Sequence, residues 1–245
     1  MQELLSAEEV AGATDDLLVR WGAQALTPEY PHEAGAAWRH SGAVAVYAPK
    51  LCRHDRVLFS GPVDDAAELL SQVMAKVRSD RLRPLADAEL AREVAVRLGL
   101  DVRATFGWMH LAAEPPSTPT ADVEWLTDAD EGTITSLLRK ANPTSYLFPD
   151  DPGARRWAGI RGADGALLAV GADSWPAPLL RLISGVATHP DHRGAGLATT
   201  LCAFLAAELA RDGGVALMVD ASNEPALRVY RGLGYRYRAI TALAE

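Results

Sequence analysis

Two hydrophobic periods alternate along the chain, one of about two residues and one of between three and four, and they divide it into strands and helices. In the first half the apolar run 43–47 and the segment 56–60 read as strands. A helical pattern follows over 64–77, with Asp64 and Asp65 at its start behind Gly61 and Pro62, where acidic residues suit the positive helix end. A second helix, 87–98, stops at Gly99, and 104–111 alternates as a strand with Phe106, Trp108 and His110 on one side. In the second half 123–126 reads as a strand and 128–141 as a helix ended by Asn142 and Pro143. Strands 157–161 and 166–172 form a hairpin about a turn at Ala163, Asp164 and Gly165. The pattern closes with strand 179–188, helix 197–211, strand 215–219, helix 224–231 and strand 235–243.

Between the halves, 114–121 reads EPPSTPTA, a run that neither continues a helix nor pairs as a central strand. The expected organisation is an α+β domain over 1–113, a linker over 114–121 and a second domain over 122–245. The fold class is α/β (α+β), a mixed central sheet flanked by helices. The order strand-helix-strand in the second domain is where chemistry is expected.

Composition narrows the function classes. Hydrophobic residues make up 49% and charged residues 23% of 245, as in soluble globular proteins. The formal net charge is −8 and the basic residues are scattered, which disfavours a nucleic-acid partner. Cys52 and Cys202 are far apart and suggest neither a disulfide framework nor a zinc site. No basic-then-apolar leader opens the chain, and 197–210 is too short to span a bilayer, so no membrane partner and a cytoplasmic location are expected. His189 and His192 lack a third ligand in a matching position, and no metal is expected.

The segment 185–198, GVATHPDHRGAGLA, joins a strand to a long apolar helix. A helix start offers unpaired N–H groups and a positive dipole end, and Gly194 and Gly196 let an anion approach the backbone. Arg193 adds a charge-assisted contact in this reading; the alternative is a plain strand-to-helix turn. Thr199 stands where a dinucleotide fingerprint needs glycine, and no Gly-Lys-Ser/Thr loop is present. In this setting Arg193, Gly196 and Ala198, approached through Val186, His189, Pro190 and Asp191, resemble the cofactor motif of the GNAT superfamily of coenzyme A-dependent N-acyltransferases. The run 220–235, with Asn223, Ala226, Leu227, Tyr230, Gly234 and Tyr235, resembles that family's second motif.

The resemblance implies acetyl-CoA or another acyl-coenzyme A as co-substrate. The implied cofactor contacts are Val186, Ala187, Thr188, Arg193, Gly194, Ala195, Gly196, Leu197, Ala198 and Asn223. It implies an amine attacking the thioester, a backbone N–H near Val186 or Ala187 for the oxyanion, and Tyr230 as proton donor to the leaving thiolate. Asn223 and Tyr230 are seven residues apart, close to two helical turns, and so share a face. Both keep a second reading, Asn223 as a helix cap and Tyr230 as a packing tyrosine. Asp173, Ser174, Ser184 and Asp220 lie near the groove, and none is singled out as a base over a water chain.

The stretch 43–74 and FGWMH at 106–110 distantly resemble the N-terminal domain of glycine N-acyltransferase-like members of the superfamily; a degenerate copy of the acyltransferase fold is the alternative. With no counterpart of the 193–198 loop in that half, one cofactor per chain is expected. The loop 145–156, with Tyr146 and Phe148 and with Trp157 beside it, is the expected acceptor wall. The acceptor is expected to be a small-molecule amine or amino acid, and a homodimer is compatible with the resemblance. The rival readings are a non-catalytic acyl-coenzyme A sensor or partner-binding module and transfer to a hydroxyl or a protein N-terminus.

Overall fold

Asp16 shows how the beginning and end of the chain come to share one body. Its carboxylate accepts from the N–H groups of Leu18 (2.8 Å) and Val19 (3.3 Å), starting a helix, and also receives both nitrogens of Arg238 at 2.6 and 3.0 Å. In this computed structural model, which describes residues 1–112, 114–117 and 123–244, Met1–Trp108, Ala177–Leu179 and Arg238–Glu245 form one unit. Met109–Pro176 and Leu180–Tyr237 form the other. The linker expected over 114–121 lies partly outside the described residues.

The first unit contains β1 (Gln2–Leu4), α1 (Ala7–Ala13), α2 (Leu17–Gly22), β2 (Ala36–His40), β3 (Ala43–Leu51), β4 (His54–Ser60), α3 (Val63–Val77), β5 (Leu82–Asp87), α4 (Ala88–Leu98) and most of β6 (Asp101–Leu111). The first three hairpin partners are antiparallel, whereas β4 and β5 run parallel, joined through α3. Helices α3 and α4 close over the sheet with Phe59, Leu69, Leu70, Val73 and Val94, all at most 1% exposed. Each such side chain contributes roughly 1.5–3 kcal/mol by leaving water. Asp87 caps α4 through the Glu89 N–H at 3.0 Å, and Gly99 ends it at φ +68°, the stop read from the sequence.

The second unit contains β7 (Val123–Trp125), α5 (Glu131–Ala141), β8 (Ala154–Arg161), β9 (Leu167–Ala177), β10 (Leu180–Thr188), α6 (Leu197–Leu209), β11 (Gly214–Val219), α7 (Glu224–Gly232) and the start of β12 (Tyr235–Ala244). Its strand order is β6-β11-β10-β9-β8-β7, with β6 entering through its last residues from Met109. One core, with Leu201, Leu205, Leu209, Leu217 and Leu227, packs α6 and α7 against one face. A second, with Ile134, Leu138, Trp157, Val170 and Ala187, packs α5 against the other. Sheet and helices form the mixed α/β architecture expected from the sequence.

From β2 onward, β6 included, the first half has the order β-β-β-α-β-α-β, and the second half repeats it from β8 to β12. A strand and helix precede it in both, with α2 extra in the first. Each half also has a parallel strand pair bridged by a helix. The pattern around Trp108 differs from the one-sided strand expected: Gly107, Trp108 and Met109 are all buried in succession, while Asp101 to Thr105 are exposed. Trp108 packs on Trp21 in the first unit, and Met109 enters the core of the second.

Candidate active site

Strands β10 and β11 pair in parallel from Leu180↔Gly214 to Ile183↔Leu217. Both continue, to Thr188 and Val219, with no further pairing between them among the described residues. The separation begins at Gly185, whose φ of +62° takes β10 out of regular strand geometry. A Cβ there would stand 2.5 Å from Cη2 of Trp157, so the position also lacks room for any other residue. Val186 and Ala187 follow this break, Val186 packed toward α6 and Ala187 toward α5.

Beyond Thr188 the chain makes one turn of 3-10 helix, Pro190–His192, and reaches Gly194 (φ +82°) and Gly196 (φ +81°, ψ −2°) before α6 begins. Gly196 is the N-cap and has no side chain to cap with. The first helical bond runs from the Thr200 N–H to the Gly196 carbonyl at 3.1 Å, which leaves the N–H groups of Leu197, Ala198 and Thr199 without intrahelical partners. Residues 193–196 are exposed, and a Cβ on Gly194 or Gly196 would meet nothing within 4 Å. Space, unpaired amides and a positive helix end coincide here, and they fit the pyrophosphate of a coenzyme A donor.

Arg193, expected as a cofactor contact, stands exposed beside the cradle. Its Nη2 donates to the Ala141 carbonyl (2.9 Å) and its Nε to the Thr188 carbonyl (3.4 Å), tying the end of α5 to the cradle. Beside it Lys140 Nζ lies 2.8 Å from His189 Nε2, a contact with no signature in the sequence. His189 and His192 meet edge to face at 5.4 Å. Among the described residues, no three His, Cys, Asp or Glu side chains gather as metal ligands.

Gly196→Val is expected to weaken coenzyme A binding about tenfold or more, because a β-branched residue resists the left-handed conformation by roughly 1–2 kcal/mol and its side chain enters the cradle. Isothermal calorimetry measures this, and unchanged affinity would place the donor elsewhere.

On α7, Asn223 is exposed and its Oδ1 accepts from the Ala226 N–H at 3.2 Å, so the capping reading of this residue is realised. Leu227 and Tyr230, further along the same face, are buried at 2% and 7% exposure. The Tyr230 ring lies 6.0 Å from that of Tyr235, inclined at 58°. Burial, with Cys202 and Tyr235 nearby, pushes the Tyr230 phenol well above its ordinary range, so it stays protonated at neutral pH. Among the described residues nothing hydrogen-bonds its hydroxyl.

The four base candidates are all engaged. Asp220 Oδ1 accepts from the N–H and hydroxyl of Ser222, both at 2.8 Å, which holds its carboxyl below the usual range. Asp173 is wholly buried, its Oδ2 shared by Arg155 (3.0 Å) and Arg156 (3.2 Å), while its Oδ1 lacks a partner. Ser174 donates toward the Leu182 carbonyl (3.1 Å) and Ser184 Oγ (2.8 Å). In the expected acceptor loop, Ser145 Oγ donates to the Leu147 carbonyl at 2.8 Å, Asp151 accepts from the Phe148 N–H at 2.7 Å, and Tyr146 is 65% exposed.

Residues 120–235 match the model of the Acetyltransferase (GNAT) family, so this part of the chain is a GNAT acetyltransferase domain. No curated protein matches the sequence significantly. Solved structures share the fold. A GCN5-related N-acetyltransferase from Kribbella flavida has 19% identity and a TM-score of 0.63, covering 95% of this chain and 96% of that one. A GCN5-related N-acetyltransferase-like protein from Streptococcus suis has 15% identity and a TM-score of 0.54, with 97% of each chain covered. A tandem GNAT protein from the clavulanic acid biosynthesis pathway has 16% identity and a TM-score of 0.50, covering 100% of this chain and 97% of that one. These likenesses do not single out the glycine N-acyltransferase-like branch for the N-terminal half. No described helix is long and apolar enough to cross a membrane.

Proposed function

We propose that the second unit transfers an acyl group, with acetyl as the first candidate, from coenzyme A to the amine of a small molecule or amino acid by direct attack on the thioester. The observation that carries this reading is the open cradle of Gly194, Gly196 and the first turn of α6, set at the end of the strand that separates from β11 at Gly185. The amides of 194–199 would hold the pyrophosphate, and β10 residues after Gly185 would lie along the pantetheine arm. A backbone N–H at Val186 or Ala187 would meet the oxyanion. Tyr230, kept neutral by burial, would give its proton to the departing thiolate.

One donor per chain is expected. At the equivalent place in the first unit only Gly61 and Pro62 separate β4 from α3. A Cβ at Gly61 would collide with Ala43 Cα and the Gly42 carbonyl at 2.6 Å. The helix start there carries Asp64 and Asp65, with Asp65 accepting the Gly42 N–H at 3.0 Å. Filled space and two carboxylates repel a phosphate.

Incubation with acetyl-coenzyme A and a panel of amines is expected to release free thiol in an amine-dependent way, and calorimetry to give one coenzyme A site per chain. Binding without amine-dependent release across the panel would point instead to an acyl-coenzyme A sensor.

A further inference from the structure

We propose that the acceptor amine reaches this site already uncharged and rests its N–H on the Ser184 hydroxyl, so that weakly basic amines are the preferred acceptors. The inference deepens the acyl-transfer reading and rests on it. Ser184 immediately precedes Gly185, at the point where β10 leaves β11. Its oxygen is fixed by the buried Ser174 hydroxyl at 2.8 Å, a donor that also reaches the Leu182 carbonyl at 3.1 Å. Ser184 itself is partly exposed. A neutral amine can hydrogen-bond to such a pair, whereas an ammonium ion would find no opposite charge in it.

The charges around β10 point the same way. On β9 and β8, Asp173, Arg155 and Arg156 form a trio whose formal charge sums to +1, with both arginines on Asp173 Oδ2 and its Oδ1 buried without a partner. Also on β8, Arg161 is matched by Glu124 and Asp130. On β10, Arg181 faces Asp212 at 3.5 Å. Strand β11 (GVALMV) has no ionisable side chain. From α5, Lys140 is held on His189, Arg139 adds positive charge, and Glu131 is open to solvent. From α6, Cys202 is buried with its thiol pushed up to about 12, and Glu208 is paired with Arg211. From α7 come Tyr230 and the solvent-facing Glu224, Arg228 and Arg231; in the loop before β8, Asp151 holds the Phe148 N–H and Asp150 and Tyr146 are exposed. After β10, Asp191 is exposed next to Lys140, His192 is exposed against His189, and Arg193 is bound to carbonyls.

The step balances without an enzyme base. The amine lone pair forms the C–N bond while the carbonyl pair moves to oxygen. Collapse of the adduct breaks the C–S bond, and Tyr230 protonates the thiolate to give free coenzyme A. The extra proton on nitrogen leaves past Ser184 to water, and solvent restores the Tyr230 proton.

At pH 7 an amine with the α-amino pKa of about 8 is neutral about 200 times more often than one with the lysine value of about 10.4. The test measures kcat/KM against pH for thiol release by the full chain, using acetyl-coenzyme A and primary amines graded between those values. Below each amine's own pKa, kcat/KM is expected to fall about tenfold per pH unit, with the break moving from amine to amine. Ser184→Ala is expected to lower kcat/KM about tenfold without moving the break or the KM for acetyl-coenzyme A, and Ser184→Thr to restore it. One break at the same pH for every amine would overturn the proposal by revealing an enzyme base. A Ser184→Ala enzyme as active as the parent would also overturn it. Coenzyme A binding without thiol release from any amine would instead sink the acyl-transfer reading itself, and the proposal with it.

Discussion

Tyr230→Phe is expected to lower kcat by about a hundredfold while leaving the affinity for coenzyme A within a factor of about two, since losing a positioned proton donor costs on the order of 10²–10⁴ in rate. Phenylalanine keeps the ring that packs against Tyr235, so the substitution removes the hydroxyl and little else. The phenol is buried and its pKa lies well above 10, higher than an ordinary thiol at about 8.5. Complete transfer to a solvated thiolate is therefore uphill. In the proposed reaction the hydroxyl would first support the leaving sulfur as a hydrogen-bond donor and then yield its proton. The same elevation predicts no loss of rate from Tyr230 ionisation on raising the pH to about 10. Steady-state kinetics beside calorimetry separate the two quantities. An unchanged kcat at every pH would remove Tyr230 from the chemistry.

The largest stability effect is expected at Asp16→Ala, a loss of roughly 3 kcal/mol, combining a missing helix cap with an arginine left without its carboxylate. Asp16 and Arg238 side chains are only 14% and 31% exposed, so water replaces the lost contacts poorly. For a chain of this size the Tm should fall by roughly 6–12 °C. Asp16→Asn retains a capping oxygen and should fall by about half as much. Thermal unfolding of the three proteins checks the order. A Tm for Asp16→Asn equal to that of the parent would show that the ion pair contributes nothing beyond the cap.

Much of the fold was legible because its boundaries are written in residues with few other uses. Asp64 and Asp65 opened α3, Gly99 closed α4, and Pro143 stopped the run that ends in α5. In contrast α1 and α2, of 7 and 6 residues, are too short for a helical period to declare itself, although their caps Ser6 and Asp16 were there to be read. Strand β5 was hidden by Pro84 and by the arginines around it. Pro84 is tolerated because the pairing of β12 stops at Leu85, one residue short of it. The hairpin strand β9 runs on to Ala177 through Asp173, Ser174 and Pro176, whose polarity and ring conceal it.

The proposed donor side was legible for a similar reason, since Gly194 and Gly196 combine local backbone demands with a helix start. The proposed acceptor side depends on contacts between distant residues. Ser174 with Ser184 and Trp157 over Gly185 have no spacing that announces them. Arg193 was legible as a charge beside the cradle, whereas its contacts to two distant carbonyls were not.

The pairing of β12 with β5, Ile240↔Asp87 to Ala242↔Leu85, has a consequence for the order of folding. Leu243 belongs to the core formed by α3 and α4, so this body is completed by a strand that lies beyond the whole second unit in sequence. Until β12 docks, β5 presents an open edge there. Closing that edge is a contact of long sequence separation, so it forms late, and a folding intermediate without β12 would be a client for chaperones.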